Sequence, residues 1–385
     1  VGEPFKNLLN AARVRDSAAV LARHARGFDG RLFVARATAG LEALEMKARA
    51  MQIADALEAT LPARFADAAD ALEAGLAPAA PGDAMPQIEG VTQGLRGWIL
   101  WPVGEYIARR GIDEPERALA ALHALTQRFT AEFAIRPFIV RHPGVVWPTL
   151  ARWCRDDSAH VRRLVSEGSR PRLPWGLQLK GLIADPSPTL PLLQALQDDP
   201  SEYVRRSVAN HLNDIAKDHP ALVCAWVQQH LPGATAERTA LLRHASRTLV
   251  KRGHAPMLAL WGVGRPLRGE ASLVLAPRRV AIGQGFELRV TLRSTARRGT
   301  QPLAVDYRVH HLKAGGGHSA KVFKGWQLEL PPGSERVLAK AHSMRPVTTR
   351  RYVPGPHRVE VQVNGRVVAT AGFELLPSPS VQSGR

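Results

Sequence analysis

Two stretches of this chain read almost alike. Asp156-Asp157-Ser158-Ala159-His160-Val161-Arg162-Arg163 returns as Asp198-Asp199-Pro200-Ser201-Glu202-Tyr203-Val204-Arg205-Arg206. From Val161 to Val204 the period is 43 residues, inside the range of helical-pair repeats. An acidic helix start followed by Val-Arg is the pattern of a HEAT-type pair, in which each pair hides one face against its neighbours and the array grows as a solenoid. A weaker third copy has Leu241-Leu242-Arg243 in place of the Val-Arg-Arg.

The helical texture runs from Pro4 to about Gly264, with Gly/Pro clusters every 15–25 residues. Leu41, Leu44, Ala48, Met51 and Ala54/Asp55 trace one expected face. Leu119, Leu122, Leu125, Phe129 and Phe133 trace another, stopped by Pro137. Residues 76–90, with Pro78, Pro81, Gly82 and Pro86, read as a loop. Beyond Gly264 the pattern shortens to expected strands at 280–282, 286–292, 304–309, 337–341, 358–363 and 367–373, with Asn364-Gly365 as a hairpin turn. At 385 residues the chain exceeds one compact core. The expected fold is mainly α: a HEAT-like α-solenoid over residues 1–264, then a small all-β immunoglobulin-like sandwich over 265–376, and a disordered tail over 377–385. Without a Cys–Trp–Cys core the sandwich is not of the antibody type.

Charge narrows the function. The chain holds 52 Lys+Arg against 34 Asp+Glu, a net of +18. Residues 1–135 carry 15 basic and 17 acidic side chains, 136–265 carry 18 and 10, and 266–385 carry 19 and 7. A polyanion would meet the middle and the C-terminal part. Cys154 and Cys224 stand alone, which argues against a disulfide framework, a zinc ribbon or an iron–sulfur cluster. No apolar run approaches the roughly 20 residues that cross a bilayer, and Val1 to Phe5 open no signal-like segment. Cytoplasm is the expected compartment.

Aligning the second helices puts Arg163, Arg206 and Arg243 in register, then Glu167, Asn210 and Arg247, then Pro171, Asp214 and Lys251. Steps of four residues keep each set on one helix face. Val204, Val208, Leu212 and Ile215 bury the middle helix, so Arg206, Asn210, His211 and Asp214 should point elsewhere. Any single arginine there reads equally well as a solvated helix face, whereas a row of cations would track a phosphate backbone. Asp214 is then anomalous, since a carboxylate on such a face repels the ligand unless its charge serves the reacting centre. Glu132, between Phe129 and Phe133, is a second odd acid, expected half-buried near a helix C-terminus. Trp175 follows Arg170-Pro171-Arg172 on a loop and could offer its π-face to a base or a cation. In the sandwich, Arg297, Arg298, Lys321, Lys324, Arg350 and Arg351 fall in turn-rich connections. No Walker A loop, dinucleotide fingerprint, H-E-x-x-H or G-x-S-x-G occurs, and the histidines lack metal-ligand spacing. His310-His311 falls in a strand, where neighbours face opposite sides.

Five blocks carry a family resemblance: Glu3-Pro4-Phe5-Lys6-Asn7-Leu8-Leu9-Asn10, Leu44-Glu45-Met46-Lys47, Glu132-Phe133-Ala134-Ile135-Arg136-Pro137-Phe138, Ser166-Glu167-Gly168-Ser169-Arg170-Pro171-Arg172-Leu173-Pro174-Trp175 and Ser207-Val208-Ala209-Asn210-His211-Leu212-Asn213-Asp214. Over residues 3–260 the chain resembles the AlkC branch of bacterial DNA alkylation-repair glycosylases. The resemblance implies a HEAT-like solenoid, catalytic acids at Glu132 and Asp214, and an active-site tryptophan at Trp175. It implies hydrolysis of the N-glycosidic bond of cationic methylated bases, chiefly 3-methyladenine, with 3-methylcytosine and 1-methyladenine also reported for the branch. No metal or other cofactor is called for. The expected partner is double-stranded alkylated DNA, met by a monomer through Arg163, Arg170, Arg172, Arg206, Asn210, Arg243, Arg247, Lys251, Arg297, Arg298, Arg350 and Arg351. The sandwich departs from the pattern, since only some members carry one. A non-enzymatic HEAT scaffold would share the basic surface without depending on either carboxylate, and an envelope adhesin built on the sandwich is a third, weaker reading.

Overall fold

A computed structural model describes residues 4–79, 82, 93–263, 265–347 and 350–378. The expected loop at 76–90 and the expected tail at 377–385 lie largely outside the described residues. Two compact units divide the chain: residues 1–218 with 234–245, and residues 219–233 with 246–385. Helix gives way to strand between Leu260 and Gly269, but the units do not follow that change, because 219–233 and 246–260 group with the strands.

The first unit holds α1 (Ala11–His24), α2 (Gly30–Thr38), α3 (Met46–Glu58), α4 (Phe65–Ala74), α5 (Leu100–Arg110), α6 (Pro115–Thr126), α7 (Arg136–Arg141), α8 (Pro143–Trp153), α9 (Ala159–Gly168), α10 (Lys180–Ala184), α11 (Leu190–Leu196) and α12 (Glu202–Ile215). Helix starts follow local chemistry. Asn10 Oδ1 accepts from Arg13 N at 3.0 Å and Asp29 Oδ1 from Leu32 N at 2.9 Å, satisfying donors at the starts of α1 and α2. Pro115 and Pro143 open α6 and α8, where no N–H is needed.

The repeat is visible atom by atom. Asp156 Oδ1 accepts from Ser158 N, and 43 residues on Asp199 Oδ1 accepts from Ser201 N, each at 2.9 Å. Arg162 Nη1 donates to the carbonyls of Asp156 and Asp157, and Arg205 Nη1 to those of Asp199 and Pro200. Arg162 also forks onto Asp199 at 2.6 and 3.0 Å, joining one copy to the next. The acidic start and the first arginine of each copy are therefore structural: they tie the turn that launches the second helix. α12 packs on α9, and on the far side against α14 (Ala236–Ala245).

Two expected helix faces need correction. Gly40 takes a φ of +65° and starts a separate 3-10 turn at Leu41, so the period restarts at Met46. The buried residues of α3 are Met46, Arg49, Ala50, Ile53, Ala54, Ala56 and Leu57, while Ala48 is exposed. α6 ends at Thr126 rather than at Pro137, and Glu132 lies in the turn before α7, so it has no place at a helix C-terminus.

The second unit combines α13 (Pro220–His230), α15 (Arg247–Arg252) and α16 (Ala255–Leu260) with eight described strands. These are β1 (Gly269–Ala276), β2 (Arg279–Ala281), β3 (Gly285–Ser294), β4 (Gln301–Leu312), β5 (His318–Leu330), β6 (Glu335–Ser343), β7 (Gly355–Val363) and β8 (Arg366–Leu376). They form sheets ordered β1-β3-β6 and β2-β8-β7-β4-β5, with β2 parallel to β8. Alternation decides the inner faces: Phe286, Leu288, Val290 and Leu292 of β3 meet Val305, Tyr307 and Val309 of β4 in one core. His311 is buried and its neighbour His310 half-buried, as opposite faces of a strand require. The Asn364-Gly365 turn joins β7 to β8 with both residues at positive φ. Asn364 Oδ1 accepts from Ala304 N at 2.8 Å, fastening that turn to β4. α15 rests on β5, and Gly253 approaches Gly365 so closely that a Cβ on either would lie under 3 Å from the other's backbone.

Candidate active site

A continuous run of charged side chains crosses the first unit from the turn before α7 to the end of α12. Glu132 Oε2 accepts from the Thr130 hydroxyl at 2.7 Å and from Arg163 Nη1 at 2.8 Å. Arg163 reaches on to Glu167 Oε1 at 3.8 Å, one turn along α9. Glu167 Oε1 meets Arg170 Nη1 at 2.5 Å, and its Oε2 accepts from the Ser207 hydroxyl of α12 at 2.6 Å. Arg170 Nε donates to Asp214 Oδ2 at 2.8 Å, and Lys217 Nζ to Asp214 Oδ1 at 2.7 Å. Three carboxylates alternate with three cations, so the run is electroneutral.

Burial makes the pairing obligatory. Asp214 is 1% exposed and Glu167 5%, and an isolated charge there would be prohibitively desolvated. Desolvation pulls the Arg163 and Arg170 pKa values down, but the adjacent carboxylates outweigh it and both end raised. Burial likewise pushes Glu167 up, and Arg163 and Arg170 pull it below the ordinary carboxylate range. His211, fully buried in α12, is driven down to about 4 by burial, so its neutral ring donates from Nδ1 to Ser166 O at 2.9 Å.

The two outer acids differ in how they are held. Both oxygens of Asp214 are occupied, and of its partners Lys217 reaches solvent while Arg170 does not. Glu132 is 12% exposed on its side chain, and among the described residues nothing donates to its Oε1. Thr130 and Arg163 thus aim one oxygen and leave the other open.

Beside this run stands an aromatic wall. Trp101 stacks on Phe133 with centroids 5.1 Å apart, and Trp175 lies parallel to Trp101, planes 4° apart and centroids at 6.1 Å. Phe5 touches Trp175 and Trp98, and Trp98 meets Phe129 edge-on. Trp175 is 61% exposed and has a φ of +65°, a conformation that costs a bulky residue about 1–3 kcal/mol and persists where surroundings enforce it.

Comparison with known proteins decides between enzyme and scaffold. The chain is 34% identical over 333 residues to the uncharacterized protein YhaZ of Bacillus subtilis, covering 86% of this chain and 88% of that one. Residues 270–377 match the family model described as the C-terminal Ig-like domain of uncharacterised protein YhaZ. The alkylpurine DNA glycosylase AlkC of Pseudomonas fluorescens, solved bound to DNA containing an abasic site analog, superposes with a TM-score of 0.88 at 34% identity, over 97% of this chain and all of that one. The chain belongs to the AlkC family of alkylpurine DNA glycosylases. Its α-solenoid followed by an Ig-like sandwich is the AlkC architecture.

Within this AlkC-family site the residues singled out from sequence separate into two groups. Glu132, Arg163, Arg170 and Asp214 come together in the charged run, and Trp175 stands on the same segment as Arg170. The polar face assigned to α12 is only partly a solvent face: His211 and Asp214 are buried and Asn210 half-buried, while Arg206 is exposed. Arg163 and Arg170 are corrected as phosphate contacts, because both are consumed by carboxylates, and Arg163 also covers the Tyr203 ring at 4.9 Å. Arg172 forks onto Asp218 at 2.7 and 2.8 Å and is partly exposed. Arg206 and Arg243 are exposed, and Asn210 Oδ1 accepts from His244 Nε2 at 2.9 Å. Arg247 and Lys251 belong to α15 of the second unit, so the third helix of the alignment is interrupted after Ala245. Arg297, Arg298 and Arg351 are exposed in the sandwich connections and Arg350 is half-buried. Sequence reasoning missed Glu167 and Arg136 as site residues. Glu167 was legible: it lies four residues after Arg163 and three before Arg170, the spacings at which helix side chains pair. Among the described residues no cluster of three or more His, Cys, Asp or Glu could hold a metal, and no helix is long and apolar enough to cross a membrane.

Proposed function

We propose that this DNA glycosylase hydrolyses the N-glycosidic bond of cationic alkylated bases in double-stranded DNA, with 3-methyladenine as principal substrate and 3-methylcytosine and 1-methyladenine as further ones. The observation that carries the reading is a pair of carboxylates, Glu132 and Asp214, each ion-paired to an arginine and linked through Glu167, next to an exposed tryptophan. A base methylated at N3 already bears positive charge, so it leaves without a general acid. The C1′–N bond breaks with its electron pair going to the base, which becomes neutral, and the sugar acquires oxocarbenium character. Water then adds at C1′ and gives up a proton. Glu132 Oε1, open while Oε2 is fixed, suits it to accept that proton and orient the water. Asp214 adds negative charge for the oxocarbenium once Lys217 gives way to the sugar. Trp175 offers a π-face to the cationic base before the bond breaks.

The electroneutral run also answers why acids are tolerated next to a polyanion: the site presents local charge without net repulsion. Affinity would come from the exposed cations Arg206, Arg243, Lys251, Arg297, Arg298 and Arg351, with the half-buried Arg350, acting on phosphates. Cytoplasmic action as a monomer belongs to the same proposal. Incubation with a duplex carrying one 3-methyladenine should yield free base and an abasic strand in equal amounts, whereas an intact duplex would contradict the reading.

A further inference from the structure

Arg136 is a wholly buried guanidinium without a carboxylate. It is 0% exposed, and among the described residues its bonds all go to main-chain carbonyls: Nε to Leu177 O at 2.5 Å, Nη1 to Gly168 O at 2.8 Å and Nη2 to Pro171 O at 3.5 Å. Burial, and then the nearby charge of Arg170, lower its pKa to about 10, which leaves it cationic at neutral pH. Burying such a group is unfavourable, so what it holds is informative. Gly168 ends α9, Pro171 follows Arg170, and Leu177 lies two residues after Trp175. The three carbonyls therefore sit along the one segment that carries Arg170 and Trp175.

The segment closes around that guanidinium. Leu179 N donates to Pro171 O and Gly176 N to Leu173 O, and a Cβ at Gly176 would come within 3.3 Å of Arg136 Cδ. Trp175, at the crest, keeps its positive φ while most of its surface is in solvent. Its indole packs on Trp101 and Phe5 on one side only, and the anchored carbonyls on either side fix the backbone that carries it. Arg136 also begins α7, four residues after Glu132.

We infer that Arg136 is a positioning residue for base excision: by gathering the carbonyls of Gly168, Pro171 and Leu177 it sets where the Trp175 indole stands relative to Glu132. This rests on the proposed role of Trp175 at the damaged base. The planar fork of arginine bonds in three directions at once, which a lysine ammonium on a flexible stem does not reproduce. Moving an aligned group by about an ångström can slow a reaction by up to roughly a hundredfold.

The test uses full-length protein labelled with 5-fluorotryptophan, the Trp175 fluorine line being identified by its loss in Trp175→Phe. In Arg136→Met that line should shift or split, and single-turnover release of 3-methyladenine should slow about 10–100-fold, with affinity for undamaged duplex within threefold. In a Trp175→Ala background the same change should add no more than about twofold, because the effect travels through Trp175. Arg136→Lys carries the same test if the methionine variant does not fold, with smaller shifts in the same direction. An unmoved Trp175 line in folded variant, or equal slowing in both backgrounds, overturns the inference. A moved line with Trp175→Ala excising at the wild-type rate would instead sink the role of Trp175 while leaving the anchor standing.

Discussion

Arg170 Nε lies 2.8 Å from Asp214 Oδ2 in a setting where the acid is 1% exposed, and the same guanidinium reaches Glu167 through Nη1. One cation thus holds two buried carboxylates that belong to α9 and α12, the two helices launched by the repeated motif. The repeat supplies the scaffold, and the segment after α9 supplies the charge that lets an acid sit inside it.

Replacing Arg170 with Met should leave both carboxylates underpaired in a dry environment. Breaking a buried pair in this way costs about 3–5 kcal/mol. Arg172→Ala removes the bidentate partner of Asp218 at the surface, where solvent screens the pair, and should leave stability nearly unchanged. Urea unfolding followed by helical circular dichroism separates the two. Equal shifts would mean the buried run contributes no more than a surface pair.

The sandwich should lose stability in acid. Burial lowers the pKa of His311 to about 3 and of His342 to about 4, and that of His357 also falls, from an ordinary value of 6.5. Above pH 6.5 these rings are neutral whether the chain is folded or not. Below it the unfolded chain takes up protons that the folded chain refuses, so stability falls as pH drops from 6.5 towards 4, by up to ~1.4 kcal/mol per pH unit for each ring. His311→Phe should reduce the drop in the melting temperature of this transition between pH 7 and pH 5. An unaltered pH dependence would show that His311 titrates in the folded state.

Arg297 and Arg298 are exposed in the connection between β3 and β4. If they meet phosphates, replacing both with Ser should weaken binding to damaged and undamaged duplex alike and lower the slope of log affinity against log salt by up to about 2. The ranking of methylated bases should be kept, since phosphate contacts carry no base identity. Parallel slopes would remove these residues from the interface. Point substitution is preferable to cutting at residue 264, because 219–233 and 246–260 pack in the same unit as the strands.

Much of this was readable from the residues, for identifiable reasons. The 43-residue period marked the helical pairs because each copy must tie the same turn with an Asp and an Arg. Six strands were legible from alternation, whereas β1 hides it in the run Leu273-Val274-Leu275 and β5 breaks it with Lys321, Lys324 and Gly325 opposite the bulge at Asp306. Glu132 and Asp214 were found as acids out of keeping with their neighbours. The fate of Arg163 and Arg170 was legible only towards Glu167, because a helix-face pattern does not give Glu132 from the turn before α7 or Asp214 from α12. Arg136 gave no signal, since its partners are carbonyls that no side-chain pattern encodes.

In the proposed reaction two carboxylates do the chemistry in a site that other residues hold together. Single-turnover release of 3-methyladenine from a defined duplex, with wild type beside Glu132→Gln and Asp214→Asn and each protein checked for folding and DNA affinity, tests it most directly. Each variant should bind duplex as wild type does and release base at least ~10²-fold more slowly, a loss of about 3 kcal/mol in transition-state stabilisation. Folded variants that release 3-methyladenine within twofold of the wild-type rate would contradict it.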